Sequence, residues 1–173
     1  MVTKWQPPDP PWIKLNVKGS YIEATGRSGG GGIFRNHQGS LVSTLLTPMA
    51  TKSELKAKLE MIYRGLSQAR GLGHRSWVET SSRQATAMIN KGEWGPANAR
   101  QIMVKIRNLL AESNSRISTT HHDGNKAAAL LAQLGIEATL VQTIAEDSAP
   151  MLLRAIIHLE QSSTPSYIFE FRG

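Results

Sequence analysis

Cysteine is absent from the 173 residues, which excludes disulfides and thiolate metal sites and makes an intracellular compartment the simplest expectation. Long apolar runs are missing too. Stretches such as Ala127-Ala128-Ala129-Leu130-Leu131-Ala132 are far too short to span a bilayer, so no membrane segment is expected. The start, Met1 to Pro11, has neither an apolar signal core nor an arginine-rich amphipathic helix, and no cleaved address is read in it. An organellar, mitochondrial residence is left open by this reading. Acidic residues are in deficit, 13 against 20 Lys and Arg, for a net charge of +7. A polyanionic partner follows naturally from that balance, because neutralising phosphates releases their condensed counterions.

What is present is ordinary for a folded protein. Hydrophobic residues make up 40% and charged residues 19%, and the length suits one domain with its own core. Pro7, Pro8, Pro10 and Pro11 make residues 1–11 an extended arm. Ile13, Leu15 and Val17 then alternate with Lys14, Asn16 and Lys18, the period-two pattern of a half-buried strand. Gly29 to Gly32 precedes a hairpin turning at His37 to Gly39. The glycine run lacks the Lys-Ser/Thr of a nucleotide-binding loop, which argues against a phosphate site there.

Leu55, Leu59, Ile62, Tyr63, Leu66 and Ala69 recur at helical spacing between Ser53 and Gly71, where Gly71 and Gly73 supply a stop. Trp77 to Thr80 reads as a strand, Ser81-Ser82 as an N-cap, and Lys91 to Pro96 as a loop between two helical stripes, the second ending near Glu112. Arg116 to Thr120 is a further strand, and Gly124 to Leu134 a helix ending at Gly135. Beyond it, Leu140, Ile144 and Met151 to Leu159 read as helical on both sides of Pro150, and Tyr167 to Phe171 as a terminal strand.

Four segments carry a resemblance. Lys14-Leu15-Asn16-Val17-Lys18-Gly19-Ser20 resembles the K-L-N-V-D-G-S first strand of the plant reverse-transcriptase-like branch of the ribonuclease H family. Gly65-Leu66 anchors the family's A-E-L-x-A-L-x-x-G-L helix, Trp77 to Ser82 its V-x-E-x-D-S strand, and His122 to Ala132 its R-E-x-N-x-x-A-D-x-L-A helix. The resemblance covers residues 12–135. It implies an α/β ribonuclease H-like fold with a mixed five-stranded sheet and helices on both faces, an arm at 1–11, and an extension at 136–173.

Enzymes of that family hold two hard cations with converging carboxylates. Along the same motifs, this sequence places Lys18, Lys58, Ser81 and Ala129 where the family has acids. For the helix position the register also admits Glu54 as the acidic residue. The resemblance then implies a chain that is not an enzyme, with no metal and no cofactor. Its alternative is a ribonuclease H with a rearranged site of Glu54, Glu79 and Asp123, with His121 or His122 as proton carrier. Glu79 is otherwise expected to pair with Lys18 or Lys58, and Lys18 to lie beside a carboxylate or phosphate. His121-His122 reads as a loop pair, since no third metal ligand is identifiable in the sequence.

The function expected is an RNA-binding or architectural component of a ribonucleoprotein assembly, an organellar ribosome being one example. Lys18, Lys58, Arg70, His74, Arg75, Lys91 and Trp94 are the candidate contacts, Trp94 by base stacking. Protein partners docking on residues 1–11 and 136–173, or a protein-only adaptor, are the remaining alternatives.

Overall fold

The computed structural model describes residues 4–162. Five strands, β1 (Ile13–Ile22), β2 (Arg27–Arg35), β3 (Leu41–Met49), β4 (Ser76–Thr80) and β5 (Arg116–Thr119), form one sheet in the order β3-β2-β1-β4-β5. The first three strands run antiparallel as a meander, while β4 and β5 lie parallel to β1. Parallel neighbours need crossovers. Helix α1 (Glu54–Leu72) leads from β3 to β4, and α2 (Arg83–Asn90) and α3 (Arg100–Glu112) lead from β4 to β5. Helices α4 (Lys126–Glu137) and α5 (Met151–Ser162) complete the chain order.

The local signals explain the elements. The Ser53 side chain accepts from the Lys56 N–H to start α1, and Gly73, at φ 73°, ends it in the left-handed conformation that glycine tolerates. Ser82 caps α2 in the same way, accepting from Ala85 N–H. Leu15, Val17, Phe34 and Leu45 face α1, whose Leu59, Met61, Ile62 and Leu66 fill the core on that side. Each such side chain contributes about 2 kcal/mol by leaving water.

The other face of the sheet is closed by α4 and α5, with Ile33, Leu46, Leu131, Leu153 and Ile157 between them. The glycine run makes this approach possible. A Cβ at Gly31 would lie 2.4 Å from the Ala132 nitrogen, and one at Gly29 would lie 2.5 Å from that of Ile136. Side chains at those points would push α4 off the sheet.

Three sequence expectations are corrected. First, β1 is not half-buried, because α4 and the proline arm cover its polar face and bury Lys14 and Asn16. Second, Gly135 does not stop α4 but lies inside it, where a Cβ would be 2.4 Å from the Gly30 carbonyl oxygen. Third, residues near Leu140 and Ile144 are not helical: a bridge between Leu46 and Gln142 holds that segment along β3, and the helix begins only at Met151. The strand expected at Tyr167 to Phe171 lies outside the described residues.

Candidate nucleic-acid interface

The four motif positions gather around the middle of β1, where its pairing with β4 runs out. The last β1–β4 pair is Asn16 with Glu79, so continuing that register brings Ser81 opposite Lys18. A Cβ on Gly19 would lie 2.7 Å from the Lys58 nitrogen, which places the backbone of α1 directly over the same spot. The Asn125 amide donates to the Val17 carbonyl at 3.0 Å, and Ala129 follows one turn later on α4. These side chains are two ammoniums, a hydroxyl and a methyl. None supplies a carboxylate oxygen, so the four positions do not fit a pair of hard cations.

The acids expected nearby turn elsewhere. Glu79 pairs with Lys14 at 3.3 Å, not with Lys18 or Lys58, because Lys14 shares the buried face while Lys18 lies past the end of β4. Glu54 pairs with Lys58 across one turn of α1 at 3.8 Å. Asp123 lies 3.4 Å from each of His121 and His122. Glu54, Glu79 and Asp123 therefore have three separate sets of partners. The Lys18 ammonium has no carboxylate partner among the described residues, so of the two neighbours expected for it the carboxylate is not found.

Beside these positions lies a polar network that the sequence reading missed. Asn16 donates to Glu79 at 3.1 Å and to the Asn125 side chain at 3.1 Å, and it accepts from the Trp5 indole at 2.8 Å. Lys14 also donates to the Gln6 carbonyl at 2.7 Å, tying the arm to the sheet. Arg35, 1% exposed, stacks on Trp5 at 3.8 Å and pairs with Glu160 of α5 at 2.8 Å. Burial lowers the Lys14 pKa against the pull of Glu79, and it lowers that of Arg35 against the pull of Glu160. The Glu160 carboxyl is raised by burial in spite of Arg35. The signal for this network was in the sequence, since Lys14 and Asn16 belong to the first-strand motif.

A cavity of about 640 Å³ opens between the arm and the β4–β5 edge, lined by Lys4, Lys14, Trp77, Glu79, Arg83, Ser118 and His121 among others. Beside it, Lys14 and Arg116 each lie about 4 Å from the Trp77 ring, at 4.1 and 4.0 Å. The remaining candidate contacts are dispersed. Arg70 is engaged by Glu112, and Arg75 stacks on Trp12 at 5.1 Å at the opposite end of β4 from Ser81. His74 is half-buried beside Arg75. Lys91 and Trp94 occupy the exposed loop between α2 and α3, with Arg107 at 3.9 Å over the Trp94 ring.

The described residues contain one group able to hold a metal ion, His121, His122 and Asp123, whose ligand atoms all lie within 4.8 Å of one another. The third ligand missing from the sequence reading is thus Asp123, turned back onto both rings.

Solved structures share the fold. The ribonuclease H1 of Halobacterium salinarum is 17% identical over 73% of this chain and 98% of its own, with a TM-score of 0.67. The ribonuclease H domain of a Mycobacterium tuberculosis protein is 15% identical over 73% and 94%, at 0.66. A ribonuclease H1 from a compost metagenome, determined with an RNA/DNA hybrid, is 16% identical over 72% and 96%, also at 0.66. No curated protein matches the chain by sequence.

These findings overturn the expectation that the chain is not an enzyme. The similar structures are ribonucleases H, and a His-His-Asp group stands at the turn leading into α4. Substitution at four motif positions therefore does not establish that catalysis is absent. The reverse transcriptase-like family model matches residues 16–135, most of the chain, and the chain belongs to that family.

Proposed function

We propose that the chain is an RNA- or RNA/DNA-hybrid-binding domain of the plant branch of its family, serving within a ribonucleoprotein assembly such as a mitochondrial ribosome. The observation that carries this reading is Lys18. Lys18 lies mid-way along β1, just past its pairing with β4, with no carboxylate partner among the described residues, while the neighbouring acids Glu79 and Glu54 are engaged by Lys14 and Lys58. A half-buried ammonium that no neighbouring acid neutralises suits a phosphate oxygen. Lys18, Lys58, Ser81 and Ala129 in place of acids change these positions from ones that attract cations to ones that attract phosphates. Similar structures from the compost metagenome and from a foamy virus hold RNA/DNA hybrids, which supports this choice of nucleic acid.

Fluorescence anisotropy of the full chain tests the reading, with an RNA/DNA hybrid, single-stranded RNA and duplex DNA of equal length. Hybrid or RNA binding that weakens steeply with salt is the expected result. Equal, salt-insensitive binding to all three, or none at low salt, would refute it.

Architectural placement in the same assembly is favoured by α5, which leaves Met151, Leu152 and Leu159 largely exposed. Protein contacts through the arm or the residues after α4 belong to this second reading.

A further inference from the structure

We propose that His121, His122 and Asp123 bind one divalent transition-metal ion of the zinc class. The inference rests on the geometry of the turn between β5 and α4 and is independent of nucleic-acid binding. The Asp123 N–H donates to His121 Nδ1 at 3.2 Å, so that nitrogen is unprotonated, and an ion bound there takes the lone pair in place of this long hydrogen bond. The Asp123 carboxylate lies 3.4 Å from His121 Nδ1 through one oxygen and 3.4 Å from His122 Nε2 through the other.

Those separations fit an ion. Nitrogen and oxygen ligands at about 2.0–2.1 Å around a tetrahedral centre are roughly 3.3 Å from one another. Each carboxylate oxygen of Asp123 is at about that distance from one of the two imidazoles, and one ligand atom from each residue lies within 4.8 Å of the others. Rotation of His122, whose side chain is 74% exposed, draws the set onto one centre.

The backbone beneath is fixed. Gly124 donates to the His121 carbonyl at 2.9 Å, Asn125 to that of His122 at 3.0 Å, and the Asn125 amide is anchored on β1. Two imidazoles and one carboxylate select zinc, cobalt, nickel or copper over magnesium or calcium, which prefer all-oxygen ligands. Three protein ligands leave a fourth position for water or an exogenous group. Lys4 and Lys126, which line a cavity with Asp123, oppose the ion only weakly through solvent.

Isothermal titration of the full chain with zinc chloride, without nucleic acid, tests the site. One equivalent should bind, with no heat from magnesium chloride. His122→Ala, His121→Ala and Asp123→Ala should each weaken binding by roughly tenfold or more, while His158→Ala on α5 should leave it unchanged. The exposed His122 can be removed without disturbing the fold, which keeps the test decisive if the other variants fold poorly. Failure to bind zinc at roughly 0.1 mM protein, or binding that survives His122→Ala, would overturn the proposal. Neither result bears on hybrid affinity.

Discussion

The Lys14 ammonium and the Glu79 carboxylate meet at 3.3 Å inside the protein, with side chains 3% and 11% exposed. Removing one partner strands the other. Glu79→Ala should destabilise the fold by about 3–5 kcal/mol, since an unpaired buried ammonium remains, and chemical denaturation reads the loss directly. Lys14→Met replaces the charge with an apolar chain of similar length and should cost far less.

The same lysine sets an alkaline pH dependence. Its folded pKa lies below the ordinary 10.5 because burial disfavours the charged form. Between the two values the unfolded chain binds more protons, so stability should rise with pH through that window. Lys14→Met should abolish the rise. Thermal melts from neutral pH to about pH 10.5 compare the slopes.

On the acid side the sign belongs to Glu160. Its folded pKa is raised above 4.5 by burial, so the folded chain binds the extra proton in that window and stability falls as pH rises through it. Glu160→Gln should flatten this segment. It should also lower stability at neutral pH, because Arg35, 1% exposed, loses its carboxylate. Urea titrations at several pH values separate the two effects.

Strand and helix periodicity revealed the elements, since alternation and three-four spacing record which face each residue buries. The cap residues Ser53, Ser82 and Gly73 marked the ends for the same local reason. What covers a strand is not local. Lys14 and Asn16 read as a solvent face because the arm and α4 that bury them are set by the tertiary fold, α4 more than a hundred residues away in sequence. The motif positions Lys18, Lys58, Ser81 and Ala129 were found by resemblance and do gather in space, whereas the partners of Glu79 and Asp123 depended on register and turn geometry.

Gly31 and Gly135 permit the contact between α4 and β2, and each meets backbone where a Cβ would stand. Neither neighbour is a flexible side-chain end. Gly31→Ala and Gly135→Ala should each cost at least about 1–3 kcal/mol by overpacking. The comparison variant is Gly71→Ala, where nothing lies within 4 Å of the added methyl and φ is not in the left-handed region. Helix propensity should make that change neutral or stabilising, and calorimetric melting of the three variants checks the contrast.

Trp94 on its loop and Lys18 on β1 divide the binding expectations by mechanism. Trp94 is 46% exposed with one cation over its ring, so Trp94→Ala should scarcely alter stability while costing about 1–3 kcal/mol of affinity if a base stacks there. Its salt slope should stay unchanged, because stacking releases no counterion. Lys18→Gln should do the reverse. Without the ammonium of Lys18 one fewer phosphate is neutralised, which reduces the slope of log affinity against log salt by about 0.9 for duplex and 0.7 for single strands. Lys18→Glu would reduce it further by adding repulsion. Anisotropy titrations across a salt series resolve both parameters for each variant, and a Lys18→Gln slope equal to that of the unaltered chain would place the phosphate elsewhere.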